Sequence, residues 1–291
     1  MDSISEKHIE NSKFQIILIL ILVSLTFLLA IFAMGSGSSS NLDMLTTLKI
    51  ILGLENSNDL QSAIIWELRF PRILMAIVGG AALATAGALM QGCLGNPLVS
   101  PLTLGVASGA ALGAAFAIVL GFSIVSNSDL AIVANAFLFS LIVVGIIIQL
   151  GNMRSISAES YILVGIAITF IAGAIVSTMQ YFATDAQLSQ LAHWSFGSLS
   201  RPTLIQTLWI SVALIGLMPS AMKWSWDLNA LSLGGDDFAI STGVDPSTTR
   251  KRILILSAFL TSVVIAFTGL IGFVGLAAPH MSRLIVGNDY R

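Results

Sequence analysis

Between Arg72 and Asp129 the chain runs for 56 residues without one charged side chain. A helix needs about 20 apolar residues to cross the hydrocarbon core of a bilayer, so this stretch holds two spans and little else. A soluble fold of this size has too little interior to hide it. Composition extends the argument to the whole chain. Of 291 residues, 56% are hydrophobic and 10% charged, against about 25% charged in an average soluble domain. A soluble enzyme, a disordered tail and a secreted disulfide scaffold are excluded.

The net charge of −2 and a longest basic run of Arg250-Lys251-Arg252 give no nucleic-acid signature. The lone Cys93 has no partner for an intramolecular disulfide, and His8, His193 and His280 lie too far apart in sequence for metal-ligand spacing. No catalytic residue, cofactor or metal is expected. The chain also lacks Gly-x-x-x-x-Gly-Lys-Ser/Thr, so it does not bind ATP through such a loop.

Charge-free stretches predict spans at 14–34, 73–94, 102–122, 130–150, 161–182, 202–222 and 253–270, with a shorter eighth at 273–286. The expected fold is an all-α membrane protein, a polytopic bundle of about eight spans forming one domain over 1–291. The first stretch also resembles a signal peptide, but its apolar core is longer than the usual 7–15 residues, which favours an anchor. Pro71 is expected to open the second span, and Gly95-Asn96-Pro97 to break it before Ser100-Pro101 restarts the helix. Residues 185–197 are amphipathic and too short to cross, as expected of an interfacial helix. With residues 1–13 inside, nine Lys and Arg fall on the cytoplasmic side and four outside, which predicts a cytoplasmic N-terminus. Small residues every fourth position (Ala76, Gly80, Ala84, Ala88 and Gly92, then Gly105, Gly109 and Gly113) predict close-packed helix faces.

The spans hold almost no ionisable group beyond His280, whereas ion-coupled carriers keep such groups at mid-membrane. Energy for any transport is therefore expected to enter from outside the bilayer, and the long cytoplasmic loop at 223–252 is a candidate place for it. Asp227 suits a cap for a short helix at 228–233, which Gly234-Gly235 breaks. Asp236 and Asp237 suit the N-terminal end of a second helix, closed by Gly243. Asp245-Pro246 then opens the seventh span. With Leu231, Leu233, Phe238 and Ile240, this loop reads either as a docking knob or as a segment lying on the headgroups. Arg69 and Arg72 read either as interface anchors or as a socket for carboxylates of a partner.

Several runs resemble the FecCD family of ABC-transporter permeases. They are Leu68-Arg69-Phe70-Pro71-Arg72-Ile73-Leu74, Gly87-Ala88-Leu89-Met90-Gln91-Gly92, Asn96-Pro97-Leu98, Leu104-Gly105-Val106-Ala107-Ser108-Gly109-Ala110 and Gly197-Ser198-Leu199-Ser200. The last runs from Gly269-Leu270-Ile271-Gly272 to Ala277-Ala278-Pro279-His280, with Arg283-Leu284 after it.

The resemblance implies a multi-pass inner-membrane permease importing an iron-siderophore, haem, cobalamin or, in some members, molybdate or tungstate. It also implies partners: cytoplasmic ATPase subunits, an extracytoplasmic binding protein and a second permease copy or paralogue. Arg69 and Arg72 would receive acidic residues of the binding protein. Residues 231–244, with Leu231, Gly234, Asp236, Asp237, Phe238 and Gly243, would couple to the ATPase. Residues 155–160, with Ser155, Ser157 and Glu159, would form an inner gate. The family pattern has ten spans and continues through two more where this sequence stops at Arg291, so about eight are expected here, as a fragment or as a short form, and the acidic position after Gly235 is shifted relative to many members. An ion-coupled secondary transporter is the alternative.

Overall fold

The computed structural model describes residues 2–37, 42–152 and 157–290, without the side chains of 2–11, 128, 129 and 152. Two compact units share the chain, Met1–Ile77 and Val78–Arg291.

The first unit contains α1 (Asp2–Gly35), α2 (Met44–Ile51), α3 (Asp59–Ala63), a π-helical turn at Ile64–Arg69 and the opening turns of α4 (Phe70–Cys93). Asp43 caps α2, its carboxylate accepting from the Thr46 N–H at 3.0 Å. Asn58 and Gln61 form a capping box at α3, with N–H···O distances of 2.8 and 3.0 Å. Helix therefore begins at Asp59, well before Pro71, which corrects the expected start. Pro71 has no N–H to offer the Glu67 carbonyl and its ring crowds that oxygen. The chain accommodates it by widening into the π turn just before it, where the Phe70 N–H reaches back to Ile65.

The second unit continues with α5 (Val106–Val119), α6 (Ser128–Asn152), α7 (Ala158–Phe182), α8 (Asp185–Phe196) and α9 (Leu204–Lys223). It ends with α10 (Ser225–Ser241), α11 (Pro246–Thr268) and α12 (Val274–Val286). α11 is the buried centre, packed on α5, α6, α9 and α10, while α5 packs on α6, α7 and α8. Hydroxyls tie these helices across their apolar faces: Ser140 donates to Ser262 at 2.6 Å and Ser108 to Thr169 at 3.5 Å. Asn135, fully buried, donates from Nδ2 to the Phe122 carbonyl at 2.7 Å and so binds the loop after α5 to α6.

Among the described residues six helices are long and apolar enough to cross a membrane: Ser12–Gly35, Asp59–Cys93, Leu130–Gly151, Ala158–Phe182, Leu204–Lys223 and Pro246–Thr268. The expected third and eighth spans are shorter helices, of 14 and 13 residues. The third starts late because residues 101–105 form turns that end at Gly105, whose φ of 85° only glycine adopts readily.

The predicted small-residue faces fare differently. A Cβ on Gly109 or Gly113 would strike the backbone of α6, so that stripe is a packing face. In α4 the stripe is tight at Gly92, where a Cβ would press on the Leu228 and Tyr290 side chains, but Ala76, Gly80, Ala84 and Ala88 are half-exposed or exposed and a Cβ on Gly80 would meet nothing. The close approach is made instead by Gly87, where a Cβ would overlap the Gly275 carbonyl oxygen. Pro279 explains why that oxygen is available, because four residues on it has no N–H to bond it.

Candidate coupling and docking sites

α10 is two short helices joined at Gly235, whose φ of 70° and ψ of −159° are not helical. The predicted break, the closing turn at Gly243 (φ 84°) and the start of α11 at Asp245-Pro246 are all present. Asp245 accepts from the Ser247 N–H at 3.1 Å and from the Thr248 hydroxyl, which holds its carboxyl below the usual carboxylate range. Asp227 lies in the first turn of α10 and does not cap it, because the helix already starts at Ser225.

The apolar residues of this segment divide by face. Leu231 is buried, whereas Leu233, Phe238 and Ile240 are 74%, 45% and 62% exposed, which leaves three large apolar side chains at one end of the unit. Gly234 has to be glycine here, since a Cβ would run into the Phe238 side chain. Asp237 points outward. Asp236 turns inward and pairs through both carboxylate oxygens with Arg250, the Nη1–Oδ2 bond being 2.9 Å.

Arg250 is only 4% exposed. Its Nε donates to the Cys93 carbonyl at 3.0 Å, so one guanidinium joins the end of α4, the second half of α10 and the second turn of α11. A second junction lies at the same end of α4. Arg283 donates to Gln91 Oε1 and, at 3.1 Å, to the Tyr290 hydroxyl. Gln91 Nε2 donates to the Leu276 carbonyl at 3.2 Å. Asn229 of α10 accepts from the Tyr290 N–H at 3.0 Å and donates to Asp289 at 2.7 Å. Burial pushes the Tyr290 phenol up.

Of the expected gate residues, Ser155 lies outside the described residues. Ser157 occupies the N-cap position of α7, and Glu159, exposed in its first turn, is within electrostatic reach of both Arg250 and Asp236. In the first unit, Arg69 and Arg72 have different surroundings. Arg69 is half-buried and donates from Nη1 to the Met34 carbonyl at 2.6 Å, capping the end of α1, whereas Arg72 is exposed.

At the other end of the second unit, α8 is opened by a capping box of Thr184 and Gln187. Gln187 also reaches the last carbonyl of α5, Val119, at 3.1 Å. Arg201 donates to the carbonyls of Thr268 (2.7 Å) and His193 (2.9 Å), and partial burial lowers its affinity for the proton.

The sequence matches the model of the FecCD transport family over residues 12–291. The chain belongs to the FecCD family. A protein of Methanocaldococcus jannaschii described as an ABC transporter permease is 38% identical to it, over 99% of this chain and 84% of the relative. The hemin transport system permease of Yersinia pestis is 37% identical, over 94% of this chain and 80% of its own. The vitamin B12 import system permease of Vibrio cholerae is 35% identical, over 80% and 70%. A solved structure described as a metal-chelate type ABC transporter, in an inward-facing conformation, superposes with a TM-score of 0.78 at 29% identity. That match covers 94% of this chain and 82% of the solved one.

These relatives are ABC permeases, and none of them supports the ion-coupled carrier. This FecCD permease is a multi-pass membrane protein of the ABC importer class. Sequence reading located its α10 segment through local signals but missed Arg250, Gln91 and Arg283. Arg250 stood in the sequence only as one of three consecutive basic residues. Its i, i+3, i+4 relation to buried Ile253 and Leu254 is the signal that would have turned it inward.

Proposed function

We propose that this permease imports an iron chelate, haem or a corrinoid, with ATP hydrolysed on separate cytoplasmic subunits. The observation that carries the reading is the α10 end, where a kinked pair of short helices presents Leu233, Phe238 and Ile240 to solvent. Exposed apolar side chains on a segment that a partly buried ion pair fixes to the bundle suit a groove on a partner better than open water. In this reading the α10 end and residues 1–13 are cytoplasmic, the protein lies in the inner membrane, and 1–291 acts as one permease domain. Leu231 and Gly234 shape the coupling segment, Phe238 inserts, Asp237 and Gly243 frame it, and Asp236 fixes it.

The binding protein docks on the outer side. Arg72 supplies the free charge there while Arg69 is partly committed to the end of α1. Ser155, Ser157 and Glu159 form the inner gate. A second permease copy or paralogue completes the pathway against an exposed apolar face of α7 that includes Leu163, Ile166 and Phe170. The names of the haemin and vitamin B12 relatives, at 37% and 35% identity, support the ligand class.

The test is reconstitution in liposomes with the ATPase subunits and binding protein, using hemin and vitamin B12 as probes. ATP-dependent accumulation of either probe, lost in Phe238→Asp together with ATPase co-purification, is expected. Retention of the ATPase by Phe238→Asp would contradict the coupling assignment. Uptake of neither probe, with molybdate carried instead, would contradict the ligand class.

A further inference from the structure

Motion of the α10 segment has to reach the membrane helices through whatever joins them rigidly. The two halves of α10 are joined at Gly235, which places no side chain in the joint and leaves the halves free to be held separately. The first half is held by apolar packing of buried Leu228 and Leu231 and by Asn229 bonding to the chain at Asp289 and Tyr290. The second half, which carries Phe238 and Ile240, is held differently. Its first residue, Asp236, is clamped by Arg250 through two parallel bonds, a geometry that fixes the angle as well as the distance between the groups. The third guanidinium contact goes to the carbonyl of Cys93, the last residue of α4. That carbonyl belongs to the C-terminal turn, which has no helical donor of its own and carries the negative end of the helix dipole.

We propose that Arg250 is the positioning residue that carries displacement of the second half of α10 to the end of α4. It is held by Asp236 on one side and by the Cys93 carbonyl on the other. The proposal rests on the reading of α10 as the ATPase-coupling segment. Three features make this route stiffer than the one through Asn229. The guanidinium is buried, so water does not reach it while the clasp is closed, although the Asp236 carboxylate beside it is partly exposed. All of its bonds are charge-assisted, and such bonds are about twice as strong as neutral ones. Its backbone sits in the second turn of α11, the most buried of the long apolar helices, which cannot yield without disturbing the core. Glu159, in the first turn of α7, lies in the field of the same pair, so a shift of Asp236 against Arg250 also changes the electrostatics at the expected gate.

The experiment uses the complex of permease and ATPase subunits in lipid nanodiscs. Cys93 is replaced by Ala, and a single cysteine is placed at Ala88, half-exposed and five residues back along α4. Maleimide labelling at 88 is measured without nucleotide and after trapping with ATP and vanadate. The unmodified joint is expected to give about a fivefold or larger difference between the two states. In the ATPase-bound fraction recovered by pull-down, Asp236→Ala and Arg250→Gln are expected to shrink that difference below about twofold. The double variant should be no worse than either single change, because the two residues act as one unit. Asp236→Glu should restore most of the difference.

A merely structural role would lower yield and thermal stability but leave the difference intact in the folded fraction. An unchanged difference in Asp236→Ala, or losses that add in the double variant, would overturn the proposal. Phe238→Asp separates the two levels. If it releases the ATPase while Asp236→Ala keeps the labelling difference, the Arg250 route alone fails. If it keeps the ATPase, the coupling reading itself fails.

Discussion

Arg250 and Arg201 do similar local work at the two ends of the second unit, and they differ in what stands opposite them. Both donate to carbonyls at the C-terminal ends of helices, where cations are favoured: Cys93 of α4 for Arg250, Thr268 of α11 and the end of α8 for Arg201. Among the described residues Arg250 has a carboxylate partner and Arg201 has none, and that carboxylate sits just past the glycine break of α10. Glycines repeat the contrast. At the α8 end Gly197 and Gly269 face each other so closely that a Cβ on either would overlap backbone. At the α10 end a Cβ on Gly235 would meet nothing. The α8 end is closed by steric contact and backbone bonds, whereas the α10 end is an open hinge stabilised by one ion pair. A packed end resists motion, and a hinged end with an ionic clasp can transmit it.

The contrast breaks first, and hardest, at glycine. Gly269→Ala is expected to prevent normal folding or cost about 3 kcal/mol, since overpacking against backbone adds to the strain of a positive φ of 76°. Gly235→Ala should cost only about 1–2 kcal/mol, from conformation alone. Thermal unfolding in detergent, followed by size-exclusion recovery, would compare the two variants. Equal losses would remove the distinction between a packed and a hinged end.

Arg250→Gln is the next largest. Removing one partner of a fully buried pair costs about 3–5 kcal/mol. The Asp236 side chain is 41% exposed, so water recovers part of that and about 2 kcal/mol is expected. Arg201→Gln should cost nearer 1 kcal/mol, because the Thr268 carbonyl keeps the Ser198 N–H at 2.7 Å and the His193 carbonyl lies near the surface. Reversal of that order in the same thermal assay would mean that the ion pair is not the dominant fastening.

The smallest effect belongs to Asp245. Because its native carboxyl is held low by Thr248 and Ser247, its cap contribution is complete above the usual carboxylate range and disappears as pH falls through the lowered native value. Asp245→Ala should lose about 1 kcal/mol at neutral pH and progressively less in acid. A constant deficit across that acid range would assign the loss to something other than the charged cap.

Legibility from sequence follows the range of the interaction. Asp245-Pro246, Gly243 and Gly234-Gly235 act on neighbours a few residues away, and each could be read directly. Hydropathy identified the membrane helices because the bilayer, not a partner segment, sets their length. What stayed hidden depends on contacts distant in the chain. Arg69 capping Met34 spans 35 positions, Arg250 reaching Cys93 spans 157 and Arg283 reaching Gln91 spans 192. The stripe on α4 misled over all but Gly92 for the same reason: four-residue spacing of small side chains marks a possible face, but the carbonyl freed by Pro279 selects Gly87 as the backbone contact. Pro71 misled locally, since a π turn lets proline sit inside a helix that its presence would ordinarily start.

The most direct test of the hinged-end account uses the native chain and its single thiol. Cys93 is fully buried beside the Arg250 joint, so its labelling by a maleimide reports opening of the α4 end. In the complex with the ATPase subunits, nucleotide trapping is expected to change that labelling rate by about fivefold or more. A cysteine introduced at His193, at the α8 end, should change by less than about twofold. Equal responses at the two positions, or no response at Cys93, would contradict the account.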